Sequence, residues 1–279
     1  MSSYFPIPNN FLVSSRDKTH VKCSLKLFNY PNNVSSKAIN NSFKKKDVFF
    51  SIYKLKDYKW IKISDKKCEY GESCEFKRED LDLTPKCTAV IIPSPNTNNP
   101  YETEYLPKPY SLRVDKSPIN ERASYNFHLK NVSTSYQGEY PFELSKNGKT
   151  FFASDILRND FIKESKTYVI LMNIDRSSKL RNDHQLDILS FKTGKIIQKY
   201  FVKTNSLNAY LLPKKKSTNK LDHFFLRCKT TSFIPIFINV NLDSNHFEIS
   251  AEHTHPPHEL FLGEDRFKVV TLLKKNWLN

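Results

Sequence analysis

Apolar and polar positions alternate along most of the chain with a period of two, the signature of strands with one buried face. Val48–Ile63 reads as two strands around Lys56-Asp57. In the second limb Tyr58 and Trp60 alternate with Lys59, then the phase shifts so that Ile61 and Ile63 alternate with Lys62. A phase break of this kind predicts either a bulge or a strand with both faces partly buried. His184–Val202 repeats the design, with Leu186, Ile188 and Leu189 leading in, a turn at Thr193-Gly194, and Ile196-Ile197 to Val202 leading out. Helical spacing is confined to the tail, where Phe267, Val270, Leu273 and Trp277 recur. Short strands between polar turns, without intervening long helices, predict an all-β fold of antiparallel sandwiches.

The pattern also repeats at long range. Ala89-Val90-Ile91-Ile92-Pro93 matches Ala209-Tyr210-Leu211-Leu212-Pro213, and the same displacement carries Phe127 onto Phe247 and Glu139 onto Glu259. Other displacements carry Ile52 onto Ile188 and Leu27-Phe28-Asn29 onto Leu171-Met172-Asn173. The expected organisation is therefore two tandem β-sandwich domains related by internal duplication, residues 1–145 and 146–279, the second ending in a short helix. Prolines bracket the apolar runs, as befits a residue that cannot donate to a ladder, and Ile234-Pro235-Ile236 predicts an edge strand or a bulge.

Composition narrows the function classes. The 279 residues are 38% hydrophobic and 26% charged, enough apolar material for a buried core. The formal charge of +15 is spread over both halves, which favours polyanions in general without the clustered stripe of a nucleic-acid binder. Five cysteines, an odd number, together with an N-terminus that does not read as a secretory leader, predict reduced thiols and a cytoplasmic protein. No apolar run is long enough to predict a membrane-spanning helix. Walker, Rossmann, HExxH and Gly-x-Ser-x-Gly patterns are absent.

Two segments can carry chemistry. In His253-Thr254-His255-Pro256-Pro257-His258-Glu259, a strand would point His253 and His255 to one side, and His258 or Glu259 would close a site for a divalent transition metal: zinc, iron, nickel or copper. The His-x-His-x-x-x-Glu stretch, followed by Gly263, resembles the first metal motif of the cupin family. That resemblance implies metal ligation by His253, His255 and Glu259 inside a small β-barrel. It covers about eleven residues, its spacing from Glu259 to Gly263 is shorter than the family's, and no second motif follows.

At the corresponding register the first half carries Ser133, Thr134, Tyr136 and Glu139, read as a binding loop. Tyr101, Tyr105, Tyr110, Tyr136 and Tyr140 fall in expected loops, where tyrosines can stack on sugars or bases. The expected function is non-catalytic: recognition of a glycan or protein surface by end loops. A metal-dependent enzyme or metal binder and a nucleic-acid-binding protein are the alternatives.

Overall fold

The computed structural model describes residues 3–30, 44–84, 87–111, 123–138, 140–153, 164–190, 193–213, 224–243 and 246–252, with Lys268, Thr271, Leu272, Lys275 and Asn276 of the tail. Its regular structure is nearly all strand. In chain order the strands are β1 (Ser3–Pro6), β2 (Phe11–Ser14), β3 (Thr19–Phe28), β4 (Val48–Lys56), β5 (Lys59–Cys68), β6 (Ser73–Lys77), β7 (Ala89–Ser94), β8 (Glu102–Thr103), β9 (Ala123–Leu129) and β10 (Val132–Gly138). They continue as β11 (Tyr140–Pro141), β12 (Thr150–Ala153), β13 (Ser165–Asn173), β14 (Asp183–Ser190), β15 (Ile196–Lys203), β16 (Ser206–Leu211), β17 (Phe224–Cys228), β18 (Ile234–Asp243) and β19 (His246–Glu252). Single 3-10 turns occupy Glu79–Leu81 and Leu144–Asn147. The five described tail residues are helical; Phe267, Val270, Leu273 and Trp277 lie outside the described residues.

Two compact units divide the chain: Met1–Leu144 with Ile174–Leu180, and Ser145–Asn173 with Arg181–Asn279. In unit 1 one antiparallel sheet runs β11-β1-β7-β4-β5-β8, and a second runs β10-β9-β3-β2 with β6 also pairing β3. In unit 2 the sheets run β12-β17-β14-β15 and β16-β13-β18-β19. The apolar faces explain the layering. Leu186, Ile188, Val202 and Leu226 of one unit 2 sheet share a core with Val169, Leu171 and Phe237 of the other. In unit 1, Phe50 of β4 meets Phe76 of β6 edge-to-face at 5.9 Å, which joins its two sheets through aromatic packing. Strand β7, flanked by β1 and β4, is buried along its whole length.

The units share one strand-pairing scheme. In each, a strand (β3 or β13) pairs with a later strand that forms a hairpin (β9–β10 or β18–β19) and on its other side with β6 or β16. In the companion sheet β4 pairs β5 and β7, and β14 pairs β15 and β17. The bulges coincide as well. Register slips between Ile52 and Tyr53 leave Ile63 as the extra residue, and between Ile188 and Leu189 leave Ile197. The phase break after Trp60 thus precedes a real bulge at Ile63, and Ile52 and Ile188 each lie next to a slip of this kind.

The displacement that matched Ala89 to Ala209 and Phe127 to Phe247 is corrected. It links β7 to β16 and β9 to β19, which occupy different positions in the two schemes. The physical reason is degeneracy: an apolar run ending in proline fits both a central strand such as β7 and an edge strand such as β16, whose burial is intermittent.

Candidate functional site

Only part of the segments singled out by sequence lies within the described residues. His253, His255, His258 and Glu259 lie outside the described residues, as does Glu139. Among the described residues no group of three or more His, Cys, Asp or Glu side chains is arranged to hold a metal ion. Ser133, Thr134 and Tyr136 are on β10, not in a loop. Its connection to β9 is the two-residue turn Lys130-Asn131, with Lys130 at a φ of 51°. Tyr136 is buried against Tyr125, ring centroids 6.2 Å apart, and Gly138 makes room for its ring, since a Cβ there would meet Tyr136 Cε1 at 2.3 Å. Tyr140 is buried too, its hydroxyl donating to Ile174 O at 3.0 Å. Tyr110 lies under the Lys44 ammonium, 4.1 Å from the ring centroid. Of the five tyrosines expected in loops, Tyr101 and Tyr105 are the ones that stand exposed.

A third exposed tyrosine joins them. The β4–β5 turn places Asp57 and Tyr58 at φ values of 48° and 60°. Paired left-handed residues give the turn the twist that a tight hairpin needs, at a strain of about 1 kcal/mol or more for a bulky side chain. Tyr58 is 61% exposed, Tyr101 69% and Tyr105 58%. Alternation had put Tyr58 on the strand face of Trp60; no signal in the sequence marks the left-handed turn, because neither residue is glycine.

Backbone bonds fix all three. Tyr101 O accepts from Lys62 N at 2.7 Å. Thr103 pairs with Trp60 in the β5–β8 ladder, and its hydroxyl bonds Tyr105 at both N and O. Tyr105 pairs with Ser177, and Ser178 Oγ donates to Tyr58 O at 2.5 Å. Beneath them Trp60 is fully buried and donates Nε1–H to Arg176 O at 2.9 Å. The Ile174–Leu180 segment of unit 1 is therefore a structural part of this edge. Lys59 pairs with Glu102, and Lys179 with Glu104 at 2.6 Å, so paired charges flank the aromatics. Exposed ion pairs of this type add little stability.

The shifted titrating groups Cys68 and His184 owe their shifts first to burial. All five cysteines are free. Burial pushes the Cys68 thiol up to about 12, with its neighbour Cys74 adding to the rise, so it is a neutral thiol near pH 7. His184 bridges Thr230 Oγ1 (2.8 Å) and Thr204 Oγ1 (3.1 Å), and burial lowers its pKa against the opposing Asp183 carboxylate. A lowered imidazole binds protons more readily in the unfolded chain. Its contribution is therefore full above the ordinary value of 6.5 and is lost as pH falls below it. We expect the melting temperature of the wild type to drop more than that of His184→Gln between about pH 7.5 and about pH 5.5; equal drops would remove His184 from the pH response.

No helix among the described residues is long and apolar enough to cross a membrane. Comparison of the chain with protein-family models, curated proteins and solved structures finds no match.

Proposed function

We propose that this chain is a non-catalytic recognition protein of two β-sandwich units related by duplication, and that unit 1 binds a protein surface through Tyr58, Tyr101 and Tyr105. The observation that carries the reading is three exposed tyrosines held by backbone hydrogen bonds on one sheet edge. Tyrosine offers a large amphipathic surface with little rotamer entropy to lose, and it is enriched among the residues that dominate binding energy. Preorganised backbone lowers the ordering cost of association. The flanking pairs Lys59–Glu102 and Lys179–Glu104 supply the polar rim such an interface needs.

The test screens the full chain and its Tyr58→Ala/Tyr101→Ala/Tyr105→Ala variant against a protein array and a glycan array. The expected result is a set of protein ligands whose affinity falls at least ten-fold in the variant, about 1.4 kcal/mol or more. Because the three rings are exposed, thermal unfolding of the variant should stay close to the wild type. Protein ligands bound equally by both chains would overturn the assignment, and glycan ligands lost by the variant would move it to a saccharide.

A further inference from the structure

The shared pairing scheme makes the two units controls for one another, and they differ at one sheet edge. Strand β15 ends its sheet, and among the described residues no strand pairs with its outer side. Aligned on the bulge, β15 corresponds to β5 of unit 1. There the edge is protected twice. The long connection over residues 95–122 supplies β8, which pairs with Trp60 and Ile61. Beyond it, Lys62, Asp65, Lys66 and Lys67 line the strand with mixed charge, and Lys67 pairs with Asp47 and Glu69. Charged edges of this kind prevent pairing with foreign strands.

Among the described residues unit 2 shows neither the added strand nor the mixed-charge edge. The connection from β17 to β18 is only residues 229–233, with no strand in it. The positions matching Lys62, Lys66 and Lys67 hold Ile196, Tyr200 and Phe201, and the position matching Asp65 holds Lys199. Ile196, Ile197 and Phe201 are 42%, 45% and 55% exposed, beside Leu211 of β16. The far end of β15 is already engaged by β16: Asn208 bonds Lys203 at N and O, and Tyr210 donates to Phe201 O. Tyr200 stacks on Tyr210 at 4.5 Å, and its hydroxyl donates to Leu211 O, which fixes the strand in place. The open stretch is Ile196–Tyr200. Its charges are of one sign, with Lys195, Lys199 and Lys203 all exposed.

We propose that the Ile196–Tyr200 edge of β15 docks an extended, acidic, partly apolar segment of a partner protein, added as a fifth strand to the β12-β17-β14-β15 sheet. Main-chain bonds supply affinity, the exposed apolar side chains accept alternate residues of the incoming strand, and the lysines select acidic neighbours. A second copy of β15 is a poor occupant, since it would bring lysines against lysines.

The probe is a fluorescein-labelled octapeptide of alternating glutamate and valine, with an alternating lysine and valine peptide as control, titrated into the full chain. The acidic peptide should bind at least ten-fold tighter than the control and slow amide hydrogen exchange at residues 197–200. Phe201→Lys restores the charge that β5 carries. It adds positive charge to an exposed position, so diffuse attraction would strengthen binding, whereas strand docking requires a fall of at least ten-fold. Ile196→Lys should act in the same direction. The triple tyrosine variant of unit 1 should bind the peptide as the wild type does, which separates this site from the proposed protein-binding patch. Equal or tighter binding by Phe201→Lys, unchanged exchange on β15, or loss of binding in the tyrosine variant would overturn the proposal.

Discussion

Trp60→Ala is expected to cost unit 1 about 3–5 kcal/mol, the range for removing a large buried aromatic. Trp60 is fully buried on β5, and its indole donates to Arg176 O at 2.9 Å. Truncation opens a cavity beneath the β5–β8 ladder and frees the Ile174–Leu180 segment from its indole bond. A domain's whole stability is about 5–15 kcal/mol, so the loss is a large fraction. Trp60→Phe separates the contributions: it retains most of the apolar volume and removes the hydrogen bond, at about 1–2 kcal/mol. Urea unfolding read by hydrogen exchange at the β4, β5 and β7 amides reports on unit 1 specifically. A cost below about 1 kcal/mol for the alanine variant would mean that the indole does not hold this edge together. The same variant should weaken ligand binding through Tyr58 and Tyr105, because their partners Ser178 and Ser177 belong to the segment that loses its indole bond.

The features legible in the sequence were local ones. Alternation in Val48–Ile63 located β4 and β5, and the phase break after Trp60 announced a bulge that the ladder places two residues further on, at Ile63. Pro235 misled as an edge or bulge signal: it pairs with Leu171 on β18, which lies between β13 and β19, and its register with β13 is continuous. Long-range features were not legible. Tyr140 sits among polar residues in the sequence, yet its hydroxyl is held by Ile174 from a distant segment, while Tyr136 is covered by Tyr125 across the β9–β10 hairpin. The Ile174–Leu180 segment has no pattern of its own, since its role is set by carbonyls offered to Trp60, Leu106 and Tyr140. The β7-to-β16 match failed because hydrophobicity records that a strand is buried and not which neighbours bury it. The exposed tyrosines were half legible: Tyr101 and Tyr105 through their polar neighbours, Tyr58 not at all, since the turn residues Asp57 and Tyr58 take left-handed backbone without glycine.

In unit 2 the largest single effect is expected at Asp187. Its carboxylate lies on β14 directly opposite Arg227 of β17. Arg227 donates from Nε at 3.1 Å and from Nη2 at 2.6 Å to Asp187 Oδ2, while Gln185 Nε2 donates to Oδ1 at 2.6 Å. The side chains are 7% and 15% exposed, so each charge depends on the other for solvation. Asp187→Ala leaves a guanidinium largely out of water without its anion, and the expected cost is about 3 kcal/mol, the lower end for a broken buried pair because Arg227 keeps some solvent. The double substitution Asp187→Leu/Arg227→Met removes both charges at similar volume and should cost less than the single, since the desolvation of both ions is relieved together. A double-mutant cycle by urea unfolding, read at the β14 and β17 amides, tests this. The reading fails if Asp187→Ala costs under about 1 kcal/mol, or if the double variant is less stable than either single one. The pair also bears on the β15 edge. Lys199 lies across the ladder from Asp187, whose carboxylate is committed to Arg227 and Gln185. An acidic strand arriving at β15 therefore meets Lys199 with the nearest carboxylate already engaged, and Arg227→Met alone should weaken capture of the acidic probe by returning Asp187 to Lys199.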